Sequence, residues 1–268
     1  MTIRRILVST ILLGTLASVA FAGPREDSRL ATATAVLTET QGMPDQSVPN
    51  WLLQRAEGIA VLPTVVKVGL VLGGRGGKGV LAVRDVQGRW SNPMFITLAG
   101  GSFGWQAGIE TSDIILVFTT RRSLEGVTGG KLTLGVDAAV AAGPVGRQAS
   151  AATDIGLSEV YCYSRSRGLF AGLAIDGSVL TIDNGANSAF YGRTGLLGSD
   201  ILSQNLPLPA TARPLLDALD RITNSTPTPA PAPAAMPAAS VPSDAAPSGR
   251  GLESGAATSY PLDDAKPR

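Results

Sequence analysis

Apolar positions along this chain change their period, and the changes divide it into a helical entrance and a strand-rich body. Leu30, Ala33, Val36 and Leu37 recur at helical spacing between positions 25 and 40, behind acidic residues that suit a helix N-terminus. An amphipathic helix is predicted there. Pro49 then fits the first turn of a second short helix reaching Ala56. Beyond it, runs rich in Val, Ile and Leu recur at 59–62, 65–72, 79–84, 94–99, 103–109, 114–119, 132–141, 159–166, 168–175 and 178–183. Glycine or turn residues separate most of them, as in antiparallel hairpins. Helical spacing returns at 123–127, 186–191 and 215–222. The expected class is α+β: strand-rich, mainly antiparallel glycine-rich sheets with a few short helices, the N-terminal helices preceding the sheet. The chain has 32 glycines, many within or between the strand-like runs, so sharply bent and closely packed sheets are expected.

The two ends follow other patterns. Residues 1–22 place Arg4 and Arg5 before an apolar run from 6 to 21 and a small-x-small site at Ala20, Phe21 and Ala22. That is the pattern of a secretory signal peptide, and its core is shorter than the roughly 20 residues a spanning helix needs. An exported protein is expected, periplasmic or secreted, touching a membrane only peripherally. Residues 225–268 hold nine of the eighteen prolines among alanines and serines. Too little large apolar side chain is present to offset the entropy of folding, so a disordered tail is expected, a linker or a place for a protein partner. A single domain occupies 23–224.

Composition narrows the chemistry. Formal charge is +1 overall, and residues 50–195 carry thirteen Lys and Arg against ten Asp and Glu. Nucleic acid requires a concentrated basic footprint and is set aside. An anionic membrane asks less, because a few clustered cations contribute about 1 kcal/mol each. There is no histidine, which removes the usual general base, the commonest transition-metal ligand and any Ser-His-Asp arrangement. The only cysteine, Cys162, lies inside a strand-like run and reads as a buried small residue. No enzyme activity and no cofactor are expected.

Three motifs fail on context. Gly74, Gly76 and Gly79 fit G-x-G-x-x-G, but a short β-branched run follows where a dinucleotide fold needs a helix, so a glycine-rich hairpin turn is expected. Gly100, Ser102 and Gly104 fit G-x-S-x-G without a histidine to complete a triad; a glycine-rich bend is expected instead. Asp176-Gly177 and Asp183-Asn184-Gly185 lack calcium-loop spacing, and Asp176-Gly177 reads as a two-residue hairpin turn.

One segment carries a positive signal. Residues 161–172, Tyr-Cys-Tyr-Ser-Arg-Ser-Arg-Gly-Leu-Phe-Ala-Gly, would place Tyr161, Tyr163, Arg165 and Arg167 on one strand face. This stretch resembles the signature of the SYLF family of lipid-binding domains. Other blocks follow in that family's order from about 49 to 193: Gly58-Ile59-Ala60-Val61-Leu62-Pro63, the glycine run from Gly73 to Gly79, Gly100-Gly101-Ser102-Phe103-Gly104, the run from Ala141 to Arg147, and Phe190-Tyr191-Gly192. The resemblance implies a non-enzymatic lipid-binding module, since eukaryotic members bind phosphoinositides and other anionic lipids, often beside actin and endocytic machinery. For an exported chain it implies anionic phospholipid or envelope lipid. Candidate lipid contacts are Arg75 and Lys78 in the glycine run, Arg165 and Arg167, then Lys67, Arg84, Lys131 and Arg147, with Trp51 as an interfacial ring. A different reading is an envelope scaffold or protein-interaction protein whose lipid contact is incidental.

Overall fold

The computed structural model describes residues 24–41, 48–69, 72–103, 108–144, 158–166, 169–172, 175, 177–203 and 206–224. The signal-like segment 1–22, the tail 225–268, Arg147 and Arg167 lie outside the described residues. In chain order the elements are α1 (Pro24–Gln41), α2 (Asn50–Gln54), β1 (Gly58–Gly69), β2 (Leu72–Val83), β3 (Met94–Phe103), β4 (Gly108–Phe118) and α3 (Arg121–Thr128). There follow β5 (Lys131–Thr133), β6 (Val140–Ala142), β7 (Val160–Ser166), β8 (Leu169–Gly172), β9 (Val179–Ile182), α4 (Asn184–Tyr191), α5 (Gly198–Leu202) and α6 (Arg213–Asn224). The strands join in one sheet of order β5-β9-β3-β2-β1-β4-β7-β6, with β8 pairing the free part of β7. Among the described strands β6 and β7 run parallel and the other strand pairs are antiparallel. The α+β, strand-rich class expected from the pattern is the class observed.

The central strands have two unlike halves. Ile59, Ala60, Val61 and Leu62 of β1 are all at most 1% exposed, because both sheet faces are covered there and a continuous apolar run can be buried. Past Val65 the same strand alternates between exposed and half-buried positions. α1 covers one face with Leu30, Ala33, Val36 and Leu37, the residues its periodicity singles out, and α6 adds Leu215, Leu219 and Ile222. Buried Asn187 of α4 replaces a missing strand neighbour: its Oδ1 accepts from the Phe95 N–H at 2.8 Å and its Nδ2 donates to the Phe95 carbonyl at 3.1 Å. Phe190 stacks edge-on against Phe95 with ring centroids 5.1 Å apart.

Several sequence-based boundaries move. The run from Gly73 to Gly79 is not a hairpin turn but the first half of β2, with Gly73 already opposite Gly69 of β1. Glycine serves close approach here. A Cβ on Gly79 would sit 2.3 Å from the Val61 carbonyl oxygen, and one on Gly77 would sit 2.6 Å from a Val65 methyl, whereas on Gly74 and Gly76 it would make only ordinary contacts at 4.0 and 3.9 Å. Gly100, Gly101 and Ser102 belong to β3, so they form no bend; of the run at 103–109, Phe103 ends β3 and Gly108 begins β4, while 104–107 lie outside the described residues. Gly177 does adopt a positive φ of 75°. The Ser178 N–H donates to the Ile175 carbonyl at 3.1 Å across it, as in a tight turn; Asp176 lies outside the described residues, and among the described strands β9 pairs β3 and β5. The run at 132–141 breaks into β5 and β6, and α5 was not anticipated.

Gly79→Ala should lower stability by about 1–3 kcal/mol through overpacking against backbone, while Gly74→Ala should change it by less than about 0.5 kcal/mol. Urea denaturation of both variants checks this; equal midpoints would refute the tight approach at Gly79.

Candidate functional site

Beyond the level of α1, the far halves of β1 to β4 continue as a four-stranded strip with unlike faces. Side chains directly opposite in an antiparallel pair point the same way. Val68 lies opposite Ile109 on β4 and Gly74 on β2; Val66 lies opposite Thr111 and Gly76; and Gly74 and Gly76 lie opposite Gly101 and Ala99 on β3. This face is therefore apolar and nearly bare. Val66, Val68 and Ile109 are 36%, 49% and 76% exposed. On the reverse face Lys67 lies opposite both Arg75 and Glu110. Lys67 Nζ reaches Glu110 Oε2 at 3.9 Å, an exposed pair that contributes little, and among the described residues Arg75 meets no carboxylate.

At the root of the apolar face, α1 meets the sheet. Lys78, two residues past Gly76 and so on the same side, donates to Asp183 at 2.9 Å, and Arg29 of α1 approaches the same carboxylate oxygen at 3.4 Å. Asp183 also caps α4, its other oxygen accepting from the Ala186 N–H at 3.1 Å. Burial pushes this carboxyl upward, but the Lys78 and Ala186 hydrogen bonds and the charges of Lys78 and Arg29 outweigh it and hold it below the ordinary carboxylate range. Arg29 further lies over the Phe95 ring, 5.3 Å from its centroid. Between α1 and the β1–β2 pair opens a cleft of about 410 Å³. A neighbouring cleft of about 340 Å³ lies between α1 and β4, where Arg165 pairs with Glu39 of α1 and stands opposite Asp113. Thr64 lines the first cleft with φ at 57°, its N–H donating to Asp113 Oδ1 at 3.0 Å.

The remaining candidates are dispersed. Arg84 donates to the Gln54 carbonyl at 3.1 Å and lies over Trp90 at 4.9 Å, so it fastens α2 to the sheet. Lys131 is exposed on β5 opposite Thr181. Trp51 is half-buried and packs against the core. Tyr161 and Tyr163 are buried, and burial drives the Tyr163 phenol well above its usual range, so these rings are packing residues. The structure thus brings Lys67 and Arg75 together on one face of the strip and sets Lys78 and Arg165 beside α1 on the other. Sequence reasoning missed Arg25, Arg29, Asp183 and the Val66, Val68 and Ile109 patch. The signal for Arg25 and Arg29 was their i,i+4 spacing on α1. Among the described residues no acidic, histidine or cysteine group could hold a metal, and no helix is long and apolar enough to cross a membrane.

Residues 99–222 match the model of the Ysc84 family, described as Las17-binding protein actin regulators. The chain is 38% identical over 180 residues to Protein YSC84 of Saccharomyces cerevisiae, covering 66% of this chain and 38% of that one. It is also 38% identical over 182 residues to the SH3 domain-containing YSC84-like protein 1 of Xenopus laevis and of Homo sapiens, covering 67% of this chain and 54% and 53% of theirs. The aligned stretch thus spans about half or less of the length of these relatives.

Because the folded pKa of Asp183 is depressed, its charge stabilises the fold above the unfolded value near 3.8 and that contribution disappears as pH falls through the lower folded value. Asp183→Asn, which keeps a capping side chain, should therefore melt below the parent at pH 7, by a gap that begins to narrow only as pH falls below about 3.8. Melting curves across pH 3–7 check this; a constant gap throughout would show that the charge is immaterial.

Proposed function

Because this chain belongs to the SYLF (Ysc84) family, we propose that it is a non-enzymatic module that docks on anionic phospholipid or envelope-lipid surfaces through the projecting end of β1 to β4. The observation that carries this reading is the unlike pair of faces on that strip: Val66, Val68 and Ile109 exposed on one side, Lys67 and Arg75 on the other. A soluble surface gains nothing from three branched aliphatic side chains in water. Moving one from water into the acyl boundary is worth about 1.5–3 kcal/mol. Each cation near anionic headgroups adds about 1 kcal/mol, and long Lys and Arg stems let the charges reach phosphates while the strip lies deeper. The bare glycine positions favour this arrangement, since they leave backbone able to lie close to a surface. The apolar run at 6–21 supports export as the route to such a surface.

A second reading has its own support. The family description and the relatives' names speak of Las17 binding and of SH3 domains, which favours a protein partner for part of the chain. An apolar patch of this kind can equally receive another protein's side chains.

Co-sedimentation of the full chain with neutral and anionic vesicles over a salt series separates these readings. Docking predicts pelleting with anionic vesicles that falls as salt rises. Lys67→Gln with Arg75→Gln should remove most of the salt-sensitive part, and Val68→Ser with Ile109→Ser should weaken binding by about a hundredfold or more at every salt concentration. Failure of the parent chain to pellet with any vesicle would overturn lipid docking and leave the protein-partner reading.

A further inference from the structure

The cleft between α1 and the β1–β2 pair holds three cations of which the docking strip makes no use. Arg25 and Arg29 project from successive turns of α1, and Lys78 rises from β2 opposite them; all three line the cleft, together with Ser28 and Thr64. Among the described residues no acidic side chain lines it. Asp183 stands behind, holding Lys78 at 2.9 Å and Arg29 at 3.4 Å. Arg25, Arg29 and Lys78 outnumber the two carboxylates nearest the cleft, Asp183 behind it and Asp113 on the Thr64 N–H, so its lining stays cationic. Asp183 engages one guanidinium nitrogen of Arg29, so other N–H donors of that group remain for a ligand.

Thr64 gives an independent indication. It is the only non-glycine residue with positive φ among the described residues, and it is β-branched, a type that rarely occupies the left-handed region. Its backbone is held there by the Asp113 carboxylate and by irregular pairing with both strand neighbours, between Leu62 and Val65 on one side and between Val61 and Val66 on the other. Strain of this kind persists where the surroundings over-determine it, and it gathers at ligand clamps. Here it sets an exposed threonine into the wall of the cleft, opposite α1.

We infer that this cleft is a binding site for a phosphomonoester, with Arg25, Arg29 and Lys78 as its charged donors and Asp183 as the fixed counter-ion that keeps Arg29 and Lys78 in place when the site is empty. A phosphomonoester near neutral pH is close to a dianion and so gains more from three converging cations than a singly charged diester does. Its three terminal oxygens can accept from donors arriving from different sides, while a phosphodiester offers two oxygens and one charge. The volume of about 410 Å³ admits the phosphate and the first few atoms attached to it. The site deepens the docking reading by naming the headgroup chemistry, and it rests on that reading only for the source of the ester. Lys78 shares the side of the sheet that carries Val66 and Val68, so a lipid phosphate would be caught at the root of the strip; a free phosphomonoester would use the same groups.

Calorimetric titration of the full chain with glycerol 1-phosphate tests the site without a membrane. Vesicles carrying phosphatidic acid or phosphatidylglycerol at matched surface charge then identify the source. Arg25→Gln and Lys78→Gln should each weaken glycerol 1-phosphate binding about tenfold and together abolish it, with melting curves showing a folded chain. Lys67→Gln with Arg75→Gln should leave that binding unchanged even where vesicle pelleting is lost, so the two readings fail separately. Preference for phosphatidic acid over phosphatidylglycerol, erased by Arg25→Gln, supports a lipid headgroup as ligand. Soluble-ester binding without a vesicle preference supports the site and assigns it the free ester. No heat with glycerol 1-phosphate or inorganic phosphate, or unchanged affinity in folded Arg25→Gln and Lys78→Gln variants, overturns the inference.

Discussion

The central strands are longer than the layers that cover them, and the rest of the molecule follows from that mismatch. β1 and β2 have twelve residues each, about 40 Å of extended chain, while the apolar cover of β1 ends near Val65. The covered half is held by burial of Ile59 to Leu62, Val80 to Ala82 and Ile114 to Phe118 between layers. The uncovered half is held almost entirely by the backbone ladder from β3 through β2 and β1 to β4. One sheet thus supplies both an anchored root and a free strip, without a separate domain for either.

Charge follows the same division. Where α1 crosses the strands, cations are tied to carboxylates across elements far apart in sequence: Lys78 and Arg29 on Asp183, and Arg165 on Glu39. These pairs orient α1 and α4 against the sheet. Further out, Lys67 shares only a loose, exposed pair and Arg75 meets no described carboxylate. Net charge along the sequence says nothing of this gradient, because it depends on which strand positions lie past the cover.

Much of the fold was legible in the residues. α1 was readable because Leu30, Ala33, Val36 and Leu37 keep one period throughout, and β7 because Val160 to Tyr163 is a continuous buried run. The glycine run in β2 was not readable as strand, since glycine has low strand propensity and its role here, admitting Val61 and Val65 at close range, is a property of the neighbouring strand. For the candidate site, the cations were visible but their grouping was not. Lys67 and Arg75 meet through a register set by the irregular pairing at Thr64, and Arg29 reaches Asp183 across 154 positions of sequence. Long-range pairing of that kind leaves no local mark. The exposed valines were hidden for the opposite reason: they look like any core strand until the covering layer is known to stop.

Mechanically, the free strip is a cantilever. One end is clamped in close-packed side chains, and the other carries glycine where a typical sheet carries interlocking branched residues. Bending stiffness in a sheet comes largely from side-chain interdigitation between neighbouring strands, so stiffness must drop sharply past Lys78 while the hydrogen-bonded width stays constant. A surface pressed against the tip would meet a compliant blade that can match its curvature, and the load would be carried inward to the irregular pairing at Thr64, beneath α1.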